Sequence, residues 1–334
     1  MPKIAVIAFL IIFCACQRAP MDQPAEEVVE VQEVVPEYFL DTGNTHNKFS
    51  RSIPPILTVP SGAVVEVYTK EASDGQFSPE STVEDVSTLD FEPIHPLTGP
   101  VYVEGAEVGD VLAVTLHEIE IGEFGWSAVI PGFGFLADEF TEPFLHTYTF
   151  EEGQTYATLP SGARIELAPF PGVMGVAPAT DSLLSTIPPR TNGGNMDDPN
   201  LVEGTTVYFP VLVEGALFSI GDAHAAQGLG EVCGTAIEAP MRFVYEVNVV
   251  KDKPYLVEPQ YETDMYYAVT GFATTIDEAA KKATRYMIDY VSHEHGLDRT
   301  EAYVLASLAG DLHIAEVVDV PHMLVTMHLP KSTF

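Results

Sequence analysis

Asp222-Ala223-His224 is the sharpest chemical signal in the chain. On an extended strand, residues two apart point to one face. A carboxylate and an imidazole on one face make a metal platform, since zinc takes both oxygen and nitrogen donors. The small residues Ala225, Ala226, Gly228 and Gly230 leave room around them for a metal or a ligand. An internal echo supplies a control. Val103-Glu104-Gly105-Ala106, followed by Gly109-Asp110, returns as Val213-Glu214-Gly215-Ala216, followed by Gly221-Asp222. His224 then stands where the first copy has Leu112, an ordinary apolar strand residue. The histidine therefore carries more weight than Asp222, whose Gly-Asp turn occurs in both copies.

A second cluster is Pro188-Pro189-Arg190-Thr191-Asn192-Gly193-Gly194-Asn195-Met196-Asp197. Glycine lets backbone N–H groups approach a ligand closely, and amides so placed can stabilise an oxyanion. Gly193 and Gly194 are the candidates, with Asn195 and Asp197 adding a polar contact and a carboxylate. The same residues also read as a turn capped by Asn and Asp. His46 is isolated in its stretch, and a lone histidine is more often a surface or capping residue. Cys233 lies in an apolar, strand-like pattern with no lysine near it in sequence, so a buried structural thiol is expected there. A catalytic thiolate needs an electropositive setting and a base. The chain has no Gly-x-Ser-x-Gly elbow, P-loop, Gly-x-Gly-x-x-Gly or His-Glu-x-x-His motif, which removes support for serine hydrolase and nucleotide readings.

These residues need strands to hold them. Period-2 runs such as Ala63-Val64-Val65-Glu66-Val67-Tyr68 and Phe243-Val244-Tyr245-Glu246-Val247 dominate residues 55–250, with Gly and Pro between them. This pattern belongs to an all-β sandwich or barrel. Val59 to Val67 also echoes Leu159 to Leu167. Two related β units, about 37–155 and 156–250, would follow from a duplication; common turn pieces would give the same echo. The last third changes period. Thr275-Ile276-Asp277-Glu278 is a capping box that opens a helix running to Gly296. A second helix opens at Asp298 and stops at Gly310. Leu312–Val318 and Leu324–Leu329 read as closing strands. The expected fold is mainly β with a C-terminal α+β lobe over 251–334.

The chain has 334 residues, and the 46% that are hydrophobic suffice for a buried core. Its 15 basic and 49 acidic residues give 15 − 49 = −34. Such a charge repels phosphate backbones and anionic headgroups, which argues against nucleic acid and against a basic membrane patch. Residues 1–16 combine Lys3, an apolar run from Ile4 to Ala15, and Cys16. The run is too short to span a bilayer and reads as a secretory leader. Its Phe13-Cys14-Ala15-Cys16 ending resembles a lipobox, so lipidated Cys16 would anchor an exported protein at a bacterial cell envelope. An ordinary cleaved signal peptide is the other reading. Residues 17–36, rich in proline and acids, read as a tether, and 37–334 as the working body.

Several stretches together resemble the acetamidase/formamidase family. They are His46-Asn47-Lys48-Phe49, Gly99 to Asp110, Gly172-Val173-Met174-Gly175-Val176-Ala177-Pro178, Gly193-Gly194-Asn195-Met196-Asp197, Gly221 to Cys233, and Ser307 to Leu312 with Val318-Asp319. They cover about residues 38–331 in matching order. The resemblance implies hydrolysis of short linear amides to carboxylate and ammonia, a mainly β body, and a divalent metal ion, zinc or calcium. It implies that Asp222 and His224, with Asp197 or Glu231, hold that ion, and it adds Glu231, Asp197, Asn195 and His46 as catalytic candidates. Glu231 would move the proton, and an ion in the site would polarise the amide carbonyl. The chain departs from the family at Phe49, where a Trp is common, and at Leu229, where an Asp is common. The second departure motivates an alternative, a tethered module that binds a small ligand without turnover. Exposed strand edges allow a homodimer.

Overall fold

The structure is a computed structural model that describes residues 34–334. The expected leader, Cys16 and most of the tether lie outside these residues. The main strands are β1 (Ala63–Thr69), β2 (Leu97–Val103), β3 (Val111–Ile121), β4 (Phe124–Val129), β5 (Phe170–Gly175), β6 (Gly193–Asn195), β7 (Thr206–Pro210), β8 (Phe218–His224), β9 (Met241–Val250) and β10 (Tyr266–Ala273). Helices α1 (Ile276–His295) and α2 (Arg299–Ala309) follow, and β11 (Asp311–Glu316) and β12 (Met323–Pro330) close the chain. The architecture is mainly β with a C-terminal α+β lobe, as the periodicity predicts.

Two sheets carry the body. The larger has nine strands in the order Tyr38–Leu40, β1, β9, β3, β7, Gln260–Glu262, β10, β12, β11. The smaller runs β6, β5, β8, β2, Thr45–His46, with Leu57–Val59 beside β2. Strand β1 shows why such a sequence makes half-buried strands. Ala63, Val65, Val67 and Thr69 are buried, while Val64, Glu66 and Tyr68 turn outward. On that outer face Arg242 reaches Glu66 at 3.0 Å and Glu118 at 2.8 Å. Strand β8 differs: all seven of its residues are buried. Val65, Leu112, Val207 and Phe243 from the larger sheet and Val101, Phe170 and Phe218 from the smaller share one core. The echoing stretches take different places. Ala63–Thr69 is interior to the large sheet, whereas Arg164–Glu166 is one arm of a two-stranded ribbon.

The lobe has its own core, in which Ala279, Ala283, Met287 and Val291 pack against Val269, Val325 and Met327. Thr275 caps α1 by accepting from the Glu278 amide at 3.3 Å, and Gly296 ends it with φ 71. Asp298 caps α2 through Thr300 and Glu301. Both helix ends fall where the capping residues place them.

Candidate active site

Five segments converge on one small cavity of about 40 Å3, room for roughly three waters. Strand β8 brings Asp222 and His224, and the end of β6 brings Asn195 and Asp197. The chain after β8 brings Glu231 and Glu238. His95 arrives just ahead of β2, and Asp319 from between β11 and β12. His95, Asp197, Asp222 and Glu231 all have positive φ, at 53°, 42°, 47° and 45°. They are four of the eight non-glycine residues in that region among the described residues. Side-chain-bearing residues are held left-handed only where the surroundings over-determine them, and such sites cluster at working centres.

His224 is the hub. Its Nδ1 lies 2.8 Å from Gln227 Oε1, and the same side chain's Nε2 donates to the Asp197 carbonyl at 2.7 Å. Gln227 therefore presents its oxygen to the ring, and Nδ1–H donates to it. That fixes the imidazole and turns Nε2 toward Glu238 Oε2 at 3.1 Å and Asp222 Oδ1 at 3.8 Å. Asp197 Oδ1 stands 3.6 Å from Nδ1, and His95 Nε2 stands 3.7 Å from Asp222 Oδ2. Behind them Asn195 donates to Asp319 Oδ2 at 2.6 Å, and the Asp319 amide donates to Glu316 Oε1 at 2.6 Å. Phe170 sets its ring edge against His224, with centroids 5.1 Å apart.

Burial is the largest influence on every one of these acids. It raises Asp197 and Glu238, pushes Glu231 and Asp319 well above the carboxylate range, and lifts Glu316 to about 8. Burial also works against charge on Asp222, but the neighbouring His95 and His224 outweigh it and hold its carboxyl low. The reverse pull, from Glu238, Asp222 and Asp197, overcomes burial at His224 and holds it well above an ordinary histidine. Burial and the opposite charges of ring and acids thus act against each other across the centre.

Asp197 Oδ1, Asp222 Oδ1, Glu238 Oε2 and Asn195 Oδ1 are buried without a hydrogen bond. Buried polar atoms are normally satisfied, so these four await a partner. Donor atoms of Asp197, Asp222 and His224 lie within 4.8 Å of one another, as do those of His224, Glu231 and Glu238. This chemistry fits a divalent cation.

Four sequence candidates therefore meet with Asn195: Asp197, Asp222, His224 and Glu231. Others stand elsewhere. The Gly193 amide donates to the Arg190 carbonyl at 2.9 Å, and Gly194 pairs with Met174 in the β5–β6 ladder. Neither lines the cavity, so the expected oxyanion donors are engaged in the sheet. His46 also lies outside it. Its Nδ1–H donates to the Lys48 carbonyl at 2.7 Å, and Nε2 accepts from Ser219 Oγ at 2.9 Å. It ties Thr45–His46 to β8. Cys233 is exposed in a turn between Gly230 and Gly234, where a buried strand residue was expected. Leu229 is exposed as well, away from the cavity lining. Sequence reasoning missed Glu238, His95 and Glu316. For His95 the one signal was a histidine beside Pro96, followed by a strand.

A buried acid–histidine centre thus lies inside a mainly β body. The Acetamidase/Formamidase family model matches residues 36–185 and 179–334, and the chain belongs to that family. It is an amidase, a hydrolase acting on carbon–nitrogen bonds other than peptide bonds. The crystal structure of an acetamidase from Bacillus halodurans is similar, with a TM-score of 0.83 and 33% identity over 89% of this chain and 98% of that one. An acetamidase from Mycolicibacterium smegmatis is 31% identical over 62% of this chain and 66% of its own length. A formamidase from Methylophilus methylotrophus is 26% identical over 87% of this chain and 90% of its own.

Proposed function

We propose that the chain hydrolyses short linear amides of the acetamide or formamide type, with a divalent cation in the cavity. The observation that carries this reading is the set of unpartnered carboxylate oxygens around His224. His224, Asp222, Asp197 and Glu238 would hold the ion. Bound there, zinc (favoured by the imidazole) or calcium (by the many oxygens) supplies Lewis acidity toward a carbonyl and toward water. Gln227 keeps the His224 ring turned so that Nε2 faces the acids. Burial raises the Glu231 carboxyl's affinity for a proton; as the carboxylate it takes the proton that the attacking water gives up, and as the acid it then passes that proton to the departing ammonia. Asn195 Oδ1 is placed to accept from the amide NH2 group, which orients the substrate. The buried walls exclude bulk water from the reacting atoms.

The test is ammonia release from a panel of short amides by the chain lacking its leader, with and without a chelator, alongside elemental analysis. Chelator-sensitive release is expected. His224→Ala should lose both metal and activity; full retention of both would refute the assignment. A folded, metal-loaded protein that releases no ammonia from any amide would favour a ligand-binding module. We further propose that the body is exported and anchored through Cys16. The leader pattern supports this, and Cys16→Ser should release the protein from membranes.

A further inference from the structure

The cavity has a second wall that the acid–histidine centre leaves unused. Leu89, Ile94, Trp126, Ile130 and Phe133 line it, with Phe91 exposed at its rim. Trp126 and Ile130 belong to a hydrophobic cluster with Ala72, Phe77, Val86 and Ala128, separate from the main core. That cluster is built by β4 and the residue after it, the 3-10 turn Val83–Thr88 and the chain that follows β1, while the acids come mainly from β6, β8 and the chain after β8. Polar and apolar linings thus have different origins, and a molecule in the cavity meets charge on one side and hydrocarbon on the other.

Trp126 is fixed with unusual completeness. Its Nε1–H donates to Glu71 Oε2 at 2.7 Å. Glu71 is buried, and its oxygens also accept from the Ser73 amide at 2.8 Å, Ser73 Oγ at 2.9 Å and the Gly75 amide. Burying a carboxylate with no cation is unfavourable unless donors fill its lone pairs. Here four donors do so, and the Phe77 ring braces the indole edge-on at 4.7 Å.

We propose that this wall selects the acyl group: the preferred substrates are amides of two- or three-carbon alkanoic acids rather than formamide. Trp126 and Ile130 set the length limit, and Glu71 is the positioning residue that holds Trp126. The inference rests on the amidase reading above. Each methyl or methylene seated on the wall leaves water, worth about fourfold in kcat/KM, and formamide offers none. The upper limit follows from a cavity of about 40 Å3.

The experiment compares kcat/KM for formamide, acetamide, propionamide and butyramide in the wild type, Ile130→Ala, Trp126→Phe and Glu71→Gln. Acetamide should exceed formamide about fourfold or more, and butyramide should fall at least about tenfold below acetamide. Ile130→Ala and Trp126→Phe should move the optimum toward longer chains, and Glu71→Gln should flatten the profile. Misfolding or metal loss scales all four substrates together, so the ratios isolate the wall. Formamide equal to or better than acetamide in the wild type would overturn the proposal while leaving the amidase reading intact. So would an unchanged profile in Ile130→Ala, and hydrolysis of none of the four amides would remove both readings.

Discussion

At Gly172 the centre has room for a hydrogen atom and nothing more. The residue stands across from Asp222 in the β5–β8 ladder. A Cβ there would lie 2.5 Å from Asp197 Oδ1, 2.6 Å from the Asp222 carbonyl oxygen and 2.7 Å from His224 Cε1. Three members of the centre would have to move apart. Misplacement of about 1 Å can cost about a hundredfold in rate, so Gly172→Ala should lower kcat/KM by roughly that factor. Steady-state kinetics beside a circular dichroism spectrum checks this. Activity within twofold of wild type would mean that the acids and the ring are not the reacting groups.

At the scale of elements, the short connection from β11 to β12 delivers Glu316 and Asp319 to the back of the centre. Glu316 is fully buried, and its folded value of about 8 stands far above the ordinary 4.5. The folded chain therefore keeps a proton that the unfolded chain releases between those two values. Stability is complete below about pH 4.5 and declines as pH rises toward about 8, by about 1.4 kcal/mol per unit for one such group. Urea unfolding of chelated protein from pH 5 to 8 should show that decline, and Glu316→Gln should make it shallower, the other raised acids of the centre supplying the rest. A wild-type profile that stays level would rule out a buried proton on Glu316. These elements were unequally legible. Thr275, Gly296 and Asp298 announce both helices because capping is local chemistry. Glu238, His95 and Glu316 carry no such mark, because long-range pairing alone brings them to His224. Cys233 misled in the other direction. Val232 and its neighbours look like strand, but Gly230 and Gly234, with φ of 99° and 88°, turn the chain instead.

For the whole molecule, mainly-β architecture was legible because each strand alternates by itself, as β1 does. The strand order was not. Both sheets contain strands from residues 37–155 and from 156–250, and no sequence period records non-local pairing. The charge of −34 is a property at this scale. A compact body carrying it repels itself, and salt shortens the range of that repulsion from about 30 Å at 0.01 M to about 3 Å at 1 M. The melting temperature should therefore climb by several degrees over that range in sodium chloride. A flat or falling melting temperature would show that the acids are already neutralised locally. Cys233 offers a practical return at the same scale. It is the free cysteine among the described residues, exposed, and two positions from Glu231. A maleimide dye attached there would sit beside the proton-carrying carboxyl without entering its cavity, giving a fluorescence reporter of cation and substrate arrival in real time.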